Sequence, residues 1–464
     1  MNRKVSVCAG MMVAAVAFSA AAEEAKGGAE GLQAADAKPA AVAAVEAAPG
    51  EEVRAAQQDA PPAETKPEAG AEEREVHIPF SLSLVPGLST AGFHTGNVVN
   101  NVSIGLVATH AKRVDGVAMA LAGNWVETGG LSGAQLAVGA NLSRGPVSGA
   151  QLAVGANVAR GDAEGAQLAV GGNVTSGAVN GTQMGVGVNV AGKSLLGAQL
   201  GVGANVSGGF VRGLQAAVGV NVAGGPVHGL QAAAGLNVAG ELTGLQMSSG
   251  VSYARQLSGA QLSIINVGGD VDGAQVGIVN VAGKVSGAQV GILNVARESE
   301  GEAVGILSLV GGGQAHVAAW ASDLALTNVG VKLGGRHIYS LVTVGYTPPI
   351  GGDRRRYVVG AGLGGHIPAG RFFFDVDVVG NTLYSKRLFD DDVHHVLGQL
   401  RLTAGWQVAR HFAVFGGVSA NTLVSWDGKD RWEELGIGPE WKHVSDEGRT
   451  TVRMWPGLLA GVQI

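Results

Sequence analysis

Over residues 133–310 the chain alternates apolar and polar or small residues with a period of two. Counting from Gly149, one parity holds Ala150, Leu152, Val154, Ala156 and Val158, and the other holds Gln151, Ala153, Gly155 and Asn157. Alternation with β-branched residues predicts strand. A glycine every few positions disfavours helix, at roughly 1 kcal/mol per residue relative to Ala. Charge is confined to a short stretch of each unit: Arg144, Arg160, Asp162, Lys193, Arg212 and Lys284 all lie between the Asn and the next Gly, and Glu302 in the last copy is the exception. Each unit therefore reads as an uncharged strand of about ten residues followed by a polar turn.

The unit recurs at a fixed step. Copies begin at Gly133 and advance by 16 residues to Gly229, by 15 to Gly244 and Gly259, and by 14 to Gly273, Gly287 and Gly301. A fixed period means that each copy is one element burying its faces against its neighbours. Two all-β architectures answer to it. In an antiparallel transmembrane β-barrel each unit is one strand, and an uncharged face suits lipid, where Lys or Arg costs roughly 2–4 kcal/mol at mid-bilayer. In a β-solenoid each unit is one coil, and Gln and Asn stack as ladders. The charge distribution favours the barrel. Against it stand the near absence of aromatics from the repeats and the shift of Asn280 to the parity of Val276 and Ile278 in the 14-residue units.

Outside the repeats the pattern changes. Residues 1–22 read as a signal peptide: Arg3 and Lys4, an apolar run from Val5 to Phe18, then small residues up to Ala22. Cys8 falls within it, so the exported chain carries no cysteine and no disulfide framework. Residues 23–75 are a low-complexity acidic Ala/Glu/Pro linker, expected to be disordered. Residues 76–132 begin with a strand from His77 to Leu84 and a Pro86-Gly87 turn, followed by divergent copies of the repeat. Residues 311–464 read as C-terminal barrel-type strands, with Phe372, Phe374, Val376 and Val378 alternating with Phe373, Asp375 and Asp377. Arg401 and Thr403 alternate with Leu400, Leu402 and Trp406, and Leu458, Ala460, Val462 and Ile464 share one final face. Six of the seven tryptophans lie here, as interface girdles would require. No run approaches 20 apolar residues, which leaves a barrel as the membrane-spanning option.

Candidate chemistry adds little. Net charge is −6, or −8 without Arg3 and Lys4, which leaves no basic footprint for nucleic acid. The chain has no G-x-S-x-G, H-E-x-x-H or phosphate-loop motif, so no catalytic or cofactor-binding residue is assigned and the chain is read as no enzyme. Asp390, Asp391 and Asp392 with His394 and His395 form a metal-like cluster, but a solvated loop between strands brings the same residues together, and no metal ligand is assigned. Arg354, Arg355 and Arg356 could contact anionic headgroups or simply line a solvated loop. The Gln and Asn rows could line a lumen that passes polar solutes, or hold strands in register.

The units Gly273-Ala-Gln-Val-Gly-Ile-Val-Asn280 and Gly287-Ala-Gln-Val-Gly-Ile-Leu-Asn294 resemble those of a bacterial surface-repeat family written G-[LVA]-Q-[ILV]-G-[LIV]-[VI]-N. An opening of the Phe80-to-Leu88 kind and a barrel-like tail extend the resemblance over roughly residues 76–464. It implies an envelope-associated protein without assigned chemistry. Many outer-membrane barrels end in an aromatic residue, and Ile464 departs from that. The expectation is an integral outer-membrane β-barrel, structural or porin-like, whose partners are outer-membrane lipid, the barrel-assembly machinery and polar solutes or surface ligands. The alternative is a β-solenoid surface or adhesion module anchored by a small C-terminal barrel.

Overall fold

The computed structural model describes residues 74–349, 355–385, 394–426, 432, 435, 436, 438–445 and 447–464. The expected signal peptide, nearly all of the expected linker, Arg354 and Asp390–Asp392 lie outside this range.

Each repeat is one turn of a parallel β-solenoid, and this corrects the single large barrel. In the turn that begins near Gly149, Val147–Ala153 and Ala156–Ala159 are separate strands joined at Val154 and Gly155. Consecutive turns pair parallel and in register, Gln151 with Gln167 and Asn157 with Asn173. About 13 such turns stack, giving a rod of roughly 60 Å at about 4.8 Å per turn. The ten-residue strand read from the alternation is broken because the chain bends after Val154. A Cβ on Gly155 would lie 2.2 Å from the Gly139 carbonyl oxygen of the turn before it. Gly149 has φ +130°, and a Cβ there would lie 2.0 Å from Gly133 O. Only glycine lets stacked turns approach this closely.

The bend folds each unit onto itself and makes a narrow core. At one side of the section Val179, Leu195, Val211 and Val227 stack against Ala191 and Ala223. At the other, Gln and Asn form two ladders, the Gln row continuous and the Asn row interrupted once, every member fully buried. Gln151 Nε2 donates to Gln135 Oε1 at 2.7 Å, and the row continues to Gln289. Asn141 Nδ2 donates to Asn157 Oδ1 at 2.9 Å and also to Leu152 O at 2.8 Å. The Gln row donates toward the N-terminal end of the rod and the Asn row toward the C-terminal end. Neither row faces a lumen, contrary to the barrel expectation.

The ladders also explain the parity of the short units. From Gln151 to Asn157 is six residues, whereas from Gln275 to Asn280 is five. The residue is lost at the bend, where alternation is already broken, so Asn280 stays buried while Val276 and Ile278 stay outside. Ser252 interrupts the Asn row and bonds Ser263 Oγ at 2.6 Å.

The rod is covered in part at its start and by the barrel at its other end, as exposed parallel edges require. At the start, Leu88–Ser89 folds antiparallel onto Val76–Val85. At the other end the Glu302 carboxylate accepts the N–H groups of His337 at 3.1 Å and Ile338 at 2.9 Å, and Ser340 Oγ donates to Ile306 O at 3.3 Å. Those last partners belong to a closed antiparallel barrel of eight strands. It runs from Gln314–Ser322 through Thr327–Gly334, Ile338–Thr347, Arg356–Ala369, Phe372–Tyr384, His395–Ala409 and Phe412–Ser425 to Thr451–Gln463. Closure is by Ala318 to Ser322 pairing with Gln463 to Leu459. Trp441–Val444 adds to the free part of the last strand. The strands read between residues 311 and 464 thus form a barrel by themselves, apart from the repeats.

Candidate functional site

Three surfaces carry the information about function: the barrel interior, the barrel wall and one edge of the solenoid. Along Phe372–Tyr384 the outward residues Phe372, Phe374, Val376 and Val378 are exposed, while Asp375 and Asp377 point inward at 1% and 2% exposure. Charges so deeply buried must be paired. Lys332 Nζ lies 2.5 Å from Asp375 Oδ2, and His366 Nδ1 lies 2.7 Å from Asp375 Oδ1. Arg401 Nη2 lies 2.7 Å from Asp377 Oδ2, whose other oxygen accepts the Tyr339 hydroxyl. Farther along, Asp323 accepts from Trp455 Nε1 at 2.9 Å and from Asn421 Nδ2 at 3.1 Å. Alternation in the sequence placed Asp375, Asp377 and Arg401 on one face; it gave no sign of Lys332, Tyr339 and His366 as their partners, because pairing across strands depends on register.

The wall is apolar and banded by aromatics. Tyr346, Tyr357 and Tyr384 lie side by side on three adjacent strands near one rim, with the first two rings 5.1 Å apart. Phe372 pairs with Trp406 near the other rim, where Phe412 also lies. Twelve residues separate Phe372 from Tyr384, or about 30 Å for a strand tilted by about 40°. The tryptophans expected in girdles divide: Trp406 and Trp441 are exposed, but Trp320 and Trp455 are inside. Trp320 lies under the Arg401 guanidinium, 5.2 Å from the ring centre.

On the solenoid, the residues on either side of the bend form two exposed apolar rows. Leu152 and Val154 recur as Leu168 and Val170, and in the shorter turns as Val276 and Ile278. Between the rows runs a small residue such as Ala153 or Gly201. Its size is limited from behind: a Cβ on Gly201 would lie 3.1 Å from Asn205 Oδ1 of the ladder. The result is a groove in three overlapping sections. The first, about 1060 Å³, runs from Ile104 to Val202. The second, about 610 Å³, shares Leu200 and Gly201 with it. The third, about 900 Å³, shares Ser248 and Leu262 with the second and ends on Val342 and Leu363 of the barrel wall. Among the described residues none that lines it is charged. The charged edge lies across the section, at Arg160, Asp162 and Glu164, all exposed.

Of the other candidates, His395 and Arg356 are put to structural use. His395 Nε2 accepts the Leu383 N–H at 3.1 Å. Arg356 is buried and donates to Leu324 O at 2.9 Å, whereas Arg355 is exposed. Among the described residues no three His, Cys, Asp or Glu side chains are grouped as metal ligands, and no helix is long and apolar enough to cross a membrane, which says nothing about strands. The architecture is that of a parallel β-solenoid joined to a small closed barrel. No family model, curated protein or solved structure matches the chain.

Proposed function

We propose that this is an exported surface protein whose eight-stranded barrel spans the outer membrane and anchors the solenoid as a rod. The observation that carries this reading is the inversion of the barrel: charge inside and an unbroken apolar wall outside, bounded by aromatic rims. In water such a wall would be an aggregation surface; in a bilayer it is required. The leader-like residues 1–22 and the resemblance to envelope-associated surface repeats support the same location. The role is anchoring and display, without catalysis. A porin-like role loses its basis with the large barrel, because eight strands leave an interior just wide enough for side chains, and here Lys332, Asp375, Asp377 and Arg401 occupy it.

The test is fractionation of cells that express the full chain. The protein is expected in the outer-membrane fraction, resistant to alkaline extraction, and its unboiled form should migrate anomalously in gels. Recovery as a freely soluble protein would refute the reading.

A further inference from the structure

The solenoid groove is unexplained by anchoring alone. A rod displayed in water has no reason to keep an exposed apolar edge along most of its length, and large patches of this kind mark a binding surface. Val154 is 55% exposed and Ile306 68%. Three features of the groove narrow the choice of occupant. It is narrow and shallow, two rows made mostly of Leu, Met, Val and Ile, with Ala and one Ser midway, flanking a line of Ala, Gly or Ser, so it suits a thin chain better than a flat protein face. It contains no charge and few polar atoms, chiefly Ser248, Ser249 and Ser263 midway, so it offers a peptide backbone almost nothing to bond. Its last section opens on Val342 and Leu363, which are outward residues of the barrel wall.

We propose that the groove holds the acyl chains of membrane lipids, as a hydrocarbon track continuous with the lipid around the barrel. This rests on the reading of the barrel as membrane-spanning. The continuity is what selects the occupant: whatever covers Val342 and Leu363 also meets Ile306 and Ile292 across a single polar side chain, Ser340, whose hydroxyl is already bonded to Leu333 O and Ile306 O. The rows change identity along the rod, Leu152 to Met184 to Val276 and Val154 to Ile278, thinning midway to Ala216, Ala232 and Ala234 and staying apolar at every turn but that of Ser249. A binding surface for a flexible hydrocarbon needs that property and no finer one.

The experiment places a benzophenone amino acid singly at Leu152, Val170 and Ile292 in the groove, at Arg160 and Ser176 on the charged edge, and at Val378 on the barrel wall. The full-length protein is reconstituted in vesicles of phosphatidylethanolamine and phosphatidylglycerol, irradiated and analysed by mass spectrometry. Lipid adducts are expected at Leu152, Val170, Ile292 and Val378, about tenfold above Arg160 and Ser176. The pair V170E and V186E should abolish the adduct at Leu152 while the β-sheet circular dichroism is retained. Adducts at Val378 but not in the groove would overturn the track and leave the membrane anchor standing. Absence of adducts at all positions would overturn both. Crosslinks from Leu152 to a second copy of the chain would make the groove a self-association surface and overturn the lipid assignment, as would equal labelling of both edges or persistence of the adduct in the glutamate variant.

Discussion

Removing one rung of the Asn ladder should cost far more than its size suggests. Asn205 Nδ2 donates to Ala216 O at 2.8 Å, to Asn221 Oδ1 at 2.9 Å and to Gln199 O at 3.1 Å, while its Oδ1 accepts from Asn189 Nδ2 at 2.8 Å. Asn205→Ala leaves Asn221 Oδ1 without a donor. It also strips one bond from Asn189, which keeps Leu200 O at 2.8 Å. Both groups are fully buried, and a buried polar atom left unpaired costs about 1–3 kcal/mol. Because Asn189 stays half satisfied, the sum is about 3 kcal/mol. Stacked repeats need not unfold in one step, so the loss is best read locally. Hydrogen exchange by mass spectrometry should show amides of Val188–Ala191 and Val220–Ala223 exchanging about 100-fold faster. Asn205→Ser should be milder, since Ser308 already accepts from Asn294 Nδ2 at 3.0 Å at the end of the row. If Asn205→Ala stays within about threefold of the parent, the ladder does not hold the rod together.

Substitution to arginine should separate the two faces of one strand. Gln151→Arg, buried in the ladder, should disrupt the solenoid, whereas Leu152→Arg, on the exposed row, should leave its circular dichroism melt nearly unchanged; equal damage would contradict the assignment of inside and outside. On the barrel, Val378→Arg should lower the yield of membrane-inserted protein, at a cost of about 2–4 kcal/mol if it sits at mid-bilayer, while normal insertion would argue that this wall never meets lipid. Lys332→Met removes the closest cation from Asp375 and should lower the temperature at which the compact gel band is lost. Breaking a buried pair costs about 3–5 kcal/mol, and adding Asp375→Leu should recover part of it, unless the two residues act independently.

The barrel strands were legible because their alternation is uninterrupted: Asp375, Asp377, Arg401 and Thr403 lie inward, and Leu400, Leu402 and Leu458 outward. In the repeats the period and the uncharged outer face were equally plain, yet they did not decide the topology. A lipid-facing barrel strand and the groove edge of this solenoid both demand an apolar row without charge, and a short polar turn serves a hairpin or a solenoid corner alike. The discriminating signal lay in Gln and Asn. A lumen accepts any polar residue, but a ladder needs the same amide at the same place in every turn, from Gln135 to Gln289. The parity shift at Asn280 was a second sign, since a slip of one residue would turn a continuous strand inside out, and only a bend within the unit absorbs it. The ion partners of the barrel, such as His366, depend on cross-strand register and could not be read from one strand.

The opposed sense of the two ladders has an electrostatic consequence. In each row the amides are aligned head to tail, so their dipoles would add along the rod as peptide dipoles add along a helix and leave partial charges at its two ends. The Gln row points its donors one way and the Asn row the other, from Gln151 to Gln135 and from Asn141 to Asn157. The two sums oppose each other in every turn that carries both amides, the turn of Ser252 being the exception. A turn can therefore be inserted or deleted without building axial polarity, and a rod of this kind can change length by copying its unit while the field at its start and at the barrel stays nearly the same.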